Sequence, residues 1–176
     1  MGDRADDDRS HGMGIVVEYA GQKGRPAWAP PKPFHWNHAP FASRGGTSAE
    51  ADEVIEMVFT KRNAAEHGFN QWAINDAVFS SGSMTPAHHL RQGKRYRLRM
   101  RNASDEIHPI HLHRHSFEIT KFAGIPAAGV MKDVVMVGGY QEVEVDFIAD
   151  NPGLTLFHCH QQLHMDFGFM SLFDYI

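Results

Sequence analysis

The sequence predicts an all-β protein whose two sheets pack face to face as a sandwich. Three observations lead to this prediction. From Asp52 onward, short segments alternate apolar with polar residues or form short apolar runs. Turn signals such as VGG and DNPG separate these segments, and few stretches have a helical period. Together these features favour an antiparallel β-sandwich over a fold with many helices.

Eight segments are predicted to be strands. The clearest is QEVEVDF, which places Val143, Val145 and Phe147 on one face and acidic residues on the other, because successive side chains of a strand point to opposite faces. In chain order the segments are DEVIEMVFT, NQWAIN, KRYRLRMRN, HSFEITKF, KDVVMV, QEVEVDFIA, LTLFHCH and FMSLFDYI.

The chain before Asp52 has a different composition. Residues 1–10 are acidic and polar, which is typical of disorder, and an apolar, β-branched strand is predicted at about residues 13–19. Residues 21–51 are rich in Pro, Gly and Ala and have no sustained period, so we predict an extended linker. A single β domain is therefore predicted at residues 52–176, preceded by an extended N-terminal segment.

Composition excludes several classes of function. The 176 residues carry a net charge of −4, with both signs mixed along the chain, so we expect no nucleic acid as a partner. No apolar run reaches membrane-spanning length and no export leader is visible, so no membrane partner is expected. The single cysteine excludes an internal disulfide. The chain has 13 histidines, and their crowding in HPIHLHRH and HCHQQLH is typical of a metal site.

Strand geometry separates the side chains of these two stretches. In an extended HCH segment the two imidazoles share one side and the thiol of Cys159 points to the other. The same period places His111, His113 and His115 on one face of the HLHRH segment. If the two strands adjoin, four imidazoles converge on one side: His111, His113, His158 and His160.

The thiol side has its own candidate partners. The residues QQLH are compatible with a tight turn or one helical turn that returns His164 to Cys159. His108, held by the rigid His-Pro step, would complete a set of two imidazoles and one thiolate. Such a set is typical of blue-copper electron-transfer sites, although zinc also accepts these ligands.

The two stretches resemble a known pair of motifs. HPIHLHRHSF at residues 108–117 resembles the HPxHLHGHxF motif of multicopper oxidases, and HCHQQLHMDFG at residues 158–168 resembles their HCHxxxHxxxG motif. The resemblance covers residues 52–176 and implies the C-terminal, plastocyanin-like cupredoxin domain of a laccase-like oxidase, with a Greek-key β-sandwich. Arg114 stands where the family motif has Gly.

The resemblance also implies a set of copper ligands. His108, Cys159 and His164 correspond to the type 1 ligands, His111 to a type 2 ligand, and His113, His158 and His160 to type 3 ligands. His115 matches a motif position that is not usually a ligand. The register of the family places Phe169 at the axial position, where it cannot coordinate, and a slip of one residue would place Met170 there.

The activity implied by the resemblance is electron transfer to dioxygen. A small reducing substrate would give electrons to the type 1 copper through an exposed edge of His164 or His108. Cys159 and its neighbours His158 and His160 would carry them to a trinuclear copper site that reduces dioxygen to water. A stand-alone blue-copper electron carrier is the alternative, and the two histidines that flank Cys159 disfavour a copper nitrite reductase, which needs one.

The ligand count implies that this chain holds half of the trinuclear site. The family uses eight imidazoles there, and the matched positions supply four. HWNH at residues 35–38 has the wrong spacing for a further HxH pair. We therefore expect a missing cupredoxin domain in a longer chain or another subunit, with residues 1–20 containing the last strand of a preceding domain. The family suggests a periplasmic or extracellular location.

Two carboxylates are candidates to orient the imidazoles by accepting a hydrogen bond from the ring nitrogen that does not bind the metal. Asp133 lies in KDVV and Glu118 in FEIT, both close to the first histidine motif. Imidazoles that bind metals commonly donate their second N–H to such groups. Both carboxylates are equally compatible with an exposed position on a strand.

Overall fold

The computed structural model describes residues 19–21, 23, 49–82 and 84–176. Residues 1–18 and most of the predicted linker lie outside the described residues, so the predicted N-terminal strand and the domain boundaries stay predictions. All of the strands described below belong to one compact unit, His38–Ile176. In the described residues, no helix is long and apolar enough to cross a membrane.

The described residues contain eleven strands and one short helix, which confirms the all-β prediction. The strands are β1 (Glu53–Glu66), β2 (Phe69–Ile74), β3 (His88–Leu90), β4 (Arg95–Asn102), β5 (His108–Leu112), β6 (Phe117–Phe122), β7 (Ile125–Lys132), β8 (Val134–Val137), β9 (Glu142–Ile148), β10 (Thr155–Cys159) and β11 (Met170–Tyr175). Helix α1 (Gln162–Asp166) joins β10 to β11.

Two sheets form the sandwich. The first has the strand order β2-β1-β4-β9-β6-β7, and the second has the order β3-β11-β10-β5-β8. The prediction of a purely antiparallel arrangement is wrong, because β1 pairs with β4 and β11 pairs with β3 in parallel. After β1 and β2 in the first sheet, the chain crosses to the second sheet, forms β3 there, and crosses back to form β4 beside β1. Alternation of side chains reports which face is buried and carries no information on strand direction.

Three of the eleven strands are absent from the eight predicted segments: β3, β5 and β7. β5 lies in the first histidine motif, which was treated as extended on its alternation alone. β3 has three residues and β7 is rich in Pro, Gly and Ala, and both are edge strands. β7 begins within the predicted FAGIP turn, because Ile125 already pairs with Phe122. Edge strands have one partner and less need for an apolar face, so their sequences carry a weaker signal.

The core lies between the two sheets and receives the apolar face of each strand. Val143, Val145 and Phe147 of β9 are buried there, as the alternation predicted. On the opposite face of β9, Asp146 is also buried, because Arg95 and Arg97 of β4 lie over it. Their Nε atoms donate to its carboxylate at 2.9 and 2.7 Å. Paired charges of this kind make the burial of a carboxylate possible.

Candidate metal centre

The two histidine motifs meet on neighbouring strands of the second sheet. β10 pairs antiparallel with β5, and the register places His158 opposite His111 and Cys159 opposite Ile110. Opposite residues in an antiparallel pair point to the same face. Cys159 therefore faces the core with Ile110, and His158 faces outward with His111. The predicted approach of the two strands is present in the structure.

Three inward-facing groups form what we call the inner set: His108, Cys159 and His164, all buried. The Sγ atom of Cys159 lies 3.8 Å from Nδ1 of His108 and 3.6 Å from Nδ1 of His164. The two Nδ1 atoms are 3.1 Å apart. His164 reaches this place because α1 is a single helical turn directly after β10, which is one of the two conformations predicted for QQLH.

The donor atoms of the inner set fit one metal ion. Metal–nitrogen bonds of about 2.0–2.1 Å and metal–sulfur bonds of about 2.3 Å separate trigonal donors by roughly 3.5–3.8 Å. The observed separations run from 3.1 to 3.8 Å. Among the residues that the structure describes, this is the one group of His, Cys and carboxylate side chains whose donor atoms all lie within 4.8 Å. A thiolate with two imidazoles suits copper.

Burial controls the protonation of the inner set. It lowers the pKa of His108 to about 3 and also lowers the pKa of His164, so both imidazoles are neutral at pH 7. It raises the pKa of the Cys159 thiol to about 11. Without a cation the thiol therefore keeps its proton, and a bound metal has to displace it.

Each imidazole of the inner set has a second partner that leaves Nδ1 free for a metal. Nε2 of His164 lies 3.2 Å from Oε2 of Glu106. Nε2 of His108 lies 3.0 Å from Oγ of Ser104, whose hydroxyl also lies 2.8 Å from Oδ1 of Asn102 and can donate to it. With each Nε2–H donated outward, Nδ1 of both rings keeps its lone pair toward Cys159.

Glu106 and Trp72 are partners of His164 that the sequence reasoning missed. Trp72 stacks on the ring of His164 with centroids 4.0 Å apart, and its Nε1–H donates to Glu106 at 3.1 Å. The signal for Glu106 was the acidic pair immediately before IHPIHLH. The sequence signal for Trp72 was weaker, because a tryptophan in an apolar strand usually belongs to the hydrophobic core.

Of the two imidazoles expected to have an exposed edge, His164 keeps a small exposed fraction and His108 has none. His108 is fully buried and His164 is 6% exposed. The side chain of Glu106, which lies outside His164, is 31% exposed. The small exposed part of the inner set therefore belongs to His164 and not to His108.

The residue predicted for the axial position lies against the inner set. Phe169 is fully buried, and its ring meets that of His108 edge to face at a centroid distance of 4.6 Å. Met170 is the first residue of β11 and pairs with His158. Met170 is half-buried and, together with Ser171, lines a separate cavity of about 430 Å³.

Four outward-facing imidazoles form what we call the outer cluster: His111, His113, His158 and His160. Neighbouring ring centroids lie 4.9–5.1 Å apart around the cluster. Nε2 of His113 is 3.0 Å from Nε2 of His158. His113 and His160 are exposed, whereas His158 is buried. The four rings therefore converge on a face that is open in the described structure.

Backbone carbonyls orient two rings of the outer cluster. Nδ1 of His111 lies 2.6 Å from the main-chain oxygen of Asp133, and Nδ1 of His158 lies 2.9 Å from that of Cys159. Asp133 thus contacts an imidazole through its backbone and not through the predicted carboxylate. Glu118 bonds to Arg95 and to the amide of Gly129 instead. Desolvation lowers the pKa of His113 and His158, which favours the neutral, ligating form.

The prediction that His115 shares a face with His111 is wrong. The strand ends at Leu112, and Arg114 has a φ of +67°. The chain therefore turns, and the period of two stops. His115 is buried away from the outer cluster, with Nε2 2.6 Å from the hydroxyl of Tyr175.

Comparison with known proteins connects this geometry to one family. The family model for multicopper oxidases matches residues 54–175. Multicopper oxidase MmcO of Mycobacterium tuberculosis is 39% identical over 105 residues, which are 60% of this chain and 20% of that protein. Laccase-5 of Trametes versicolor is 39% identical over 77 residues, 41% of this chain and 15% of that protein. This chain thus corresponds to a fifth or less of these relatives.

Solved structures give the same result for the fold. The blue copper oxidase from Nitrosomonas europaea has a TM-score of 0.59 at 25% identity, over 69% of this chain and 43% of that chain. Fet3p, a multicopper oxidase that functions in iron import, has a TM-score of 0.65 over 85% of this chain and 37% of that chain. Its identity of 19% supports the fold alone.

These matches confirm the cupredoxin-like fold and the resemblance to laccases. Together with the buried His-Cys-His set, they also confirm copper as the cofactor. The family match covers well over half of the sequence. The chain therefore belongs to the multicopper oxidase family.

Proposed function

We propose that this chain is the C-terminal part of a laccase-type oxidase. It would take electrons from a small reducing substrate at the inner set and deliver them to dioxygen at the outer cluster. The observation that carries the proposal is the alternation around Cys159. Its thiol belongs to the inner set, and the residues on both sides belong to the outer cluster.

The resemblance to the two family motifs supports a role for each ligand. His108, Cys159 and His164 would hold a type 1 copper, with Phe169 as a non-coordinating axial neighbour. His111 would bind a type 2 copper, and His113, His158 and His160 would bind the type 3 pair. Copper bound in these places would supply one-electron chemistry at the inner set and four-electron reduction of dioxygen to water at the outer cluster.

Cys159 provides a short path between the two regions. Its side chain reaches the inner set, and the peptide bonds on either side lead directly to His158 and His160. The carbonyl of Cys159 also accepts a hydrogen bond from Nδ1 of His158 at 2.9 Å. An electron that leaves the sulfur can therefore reach the outer cluster through covalent bonds and one hydrogen bond.

The outer cluster holds half of the imidazoles that the family pattern requires. Four imidazoles converge on an open face, and the family pattern calls for eight. We propose that another cupredoxin domain, in a longer chain or in another subunit, contributes the remaining four. The small share of the relatives' length that this chain covers supports this proposal. We also propose a location outside the cytoplasm, as the family resemblance implies.

A stand-alone blue-copper electron carrier is the competing function. It would use the inner set alone, so the convergence of four further imidazoles favours the oxidase. Copper content with optical and electron paramagnetic resonance (EPR) spectra of the full-length protein separates the two. Four coppers per molecule, with oxygen uptake in the presence of a phenol, would support the oxidase. One blue copper without oxygen uptake would support the carrier.

A further inference from the structure

The turn that carries His113 is held by a side chain that the family motif does not contain. Arg114 follows His113 directly and adopts a φ of +67°, a left-handed conformation that long side chains rarely adopt. Such a conformation persists only where the surrounding contacts hold it.

Those contacts tie Arg114 to the loop that leads into β10. Its Nη2 donates to Oδ1 of Asn151 at 2.8 Å and to the carbonyl of Pro152 at 2.5 Å, and its Nε donates to the carbonyl of Asn151 at 3.3 Å. In return, Nδ2 of Asn151 donates to the carbonyl of Arg114 at 3.1 Å. The guanidinium also covers Gly153, where an added Cβ would lie 3.2 Å from Cζ.

A second attachment holds the other side of the turn. His115 contacts the carbonyl of His113 through Nδ1 at 3.0 Å and the hydroxyl of Tyr175 through Nε2 at 2.6 Å. Arg114 and His115 therefore both point away from the outer cluster and bond elsewhere. When the Arg114 attachment is removed, the His115 attachment should keep the turn folded but leave its position less tightly fixed.

We propose that Arg114 is a positioning residue that sets the distance between His113 and His158. This inference rests on the proposed function, because it concerns the proposed type 3 ligands. His113 directly follows the last residue of β5, and His158 lies on β10, five residues after Gly153. The amide of His113 donates to the carbonyl of Leu156 at 2.9 Å. The contacts between Arg114 and Asn151 are a second connection between the turn after β5 and the loop before β10. They thus fix two rings whose Nε2 atoms are 3.0 Å apart.

The test compares four forms of the full-length, copper-loaded enzyme: wild type, Arg114→Gly, Asn151→Ala and the double variant. Glycine restores the residue of the family motif and adopts positive φ readily, so this change removes the tie without straining the turn. Arg91→Gly, at an exposed turn outside both motifs, is the matched control. The measurements are the blue absorption, the near-ultraviolet absorption of the type 3 pair, and kcat and KM for a phenol.

We expect both single variants to keep the blue absorption and the KM for the phenol. The near-ultraviolet absorption should weaken and kcat should fall about tenfold, the low end of the range for losing a hydrogen-bond partner of a metal ligand, because Arg114 acts on His113 only through the backbone. The double variant should lose more than either single variant but less than the product of the two, because the bond from Nη2 of Arg114 to Oδ1 of Asn151 is the one contact that both changes remove. The control should match the wild type.

Normal near-ultraviolet absorption and normal kcat in both folded single variants would overturn the positioning role and leave the oxidase proposal intact. Effects that multiply in the double variant would also overturn it. A wild-type enzyme that lacks the type 3 absorption when saturated with copper would overturn both proposals.

Discussion

The inner set and the outer cluster lie on opposite faces of the same strand pair but differ in completeness. The inner set is buried, and its three donor atoms lie within 4.8 Å of one another. The outer cluster has ring centroids about 5 Å apart around an open face, and two of its four rings are exposed.

This difference shows which part of the copper chemistry one domain can build alone. Residues that face the core are brought together by the same packing that stabilises the fold. Residues that face outward are aligned by strand register, but nothing in the described structure closes over them. The inner set is thus assembled by the packing of this domain, whereas under the proposed function a second domain would complete the outer cluster.

Cys159→Ser should have the largest effect, because Cys159 connects the two regions. The hydroxyl is a poor replacement for a soft thiolate. We expect the intense blue absorption and oxygen reduction both to disappear from the copper-loaded enzyme, as measured by optical spectroscopy and oxygen uptake. A blue serine variant would disprove the ligand assignment. Thermal unfolding of both proteins should verify that the variant is folded.

His160→Ala should separate the two regions. This ring is exposed and belongs to the outer cluster alone, so we expect the blue absorption to remain and oxygen uptake to fall by at least about a hundredfold. His67→Ala, which removes an exposed imidazole outside both motifs, is the matched control. Unchanged turnover in the His160 variant would exclude it as a type 3 ligand.

The inner set should also make the metal-free protein sensitive to pH at both extremes. The folded pKa of His108, about 3, is below its ordinary value of 6.5, so the unfolded state binds more protons as pH falls from about 6.5 to 3. The free energy of unfolding should therefore fall over that range. The folded pKa of Cys159, about 11, is above its ordinary 9.0. Stability should therefore fall again as pH rises from about 9 to 11.

Urea unfolding of the metal-free protein at a series of pH values measures this dependence. The variants provide the assignment. His108→Gln should make the acidic limb shallower without removing it, because burial also lowers the pKa of His113, His158 and His164. Cys159→Ser should flatten the alkaline limb. If both limbs keep their full slope in the two variants, groups other than His108 and Cys159 cause them.

Glu106→Gln should have the smallest effect, confined to the inner set. The amide still bonds to His164 but lacks the charge that makes the imidazole a stronger donor. We expect copper affinity at the inner set to fall about tenfold, with no change at the outer cluster. Asp105→Asn is the matched control, because Asp105 shares Lys61 with Glu106 and is mostly exposed. A titration of the blue absorption with copper measures the difference.

Local periodicity was sufficient to predict much of this arrangement. The alternation in HCH and HLH assigned Cys159 to one face and the four outer imidazoles to the other, and chain proximity made the return of His164 predictable. Both inferences need only backbone geometry over a few residues.

The remaining features depend on contacts between distant segments. The parallel pairing of β1 with β4 and the stacking of Trp72 on His164 join residues that no local pattern relates. His115 was misplaced because a non-glycine residue at positive φ ended the strand, and such a turn leaves little trace in sequence when arginine replaces glycine.

The central position of β10 has a consequence for the speed of electron transfer. Hydrogen-bond ladders to β5 and β11 hold this strand on both edges, so a shift of its thiol or flanking rings would have to break main-chain bonds on two sides. Under the proposed function, ligands fixed in this way would keep almost the same geometry in both oxidation states of copper, and little nuclear rearrangement would accompany each electron transferred.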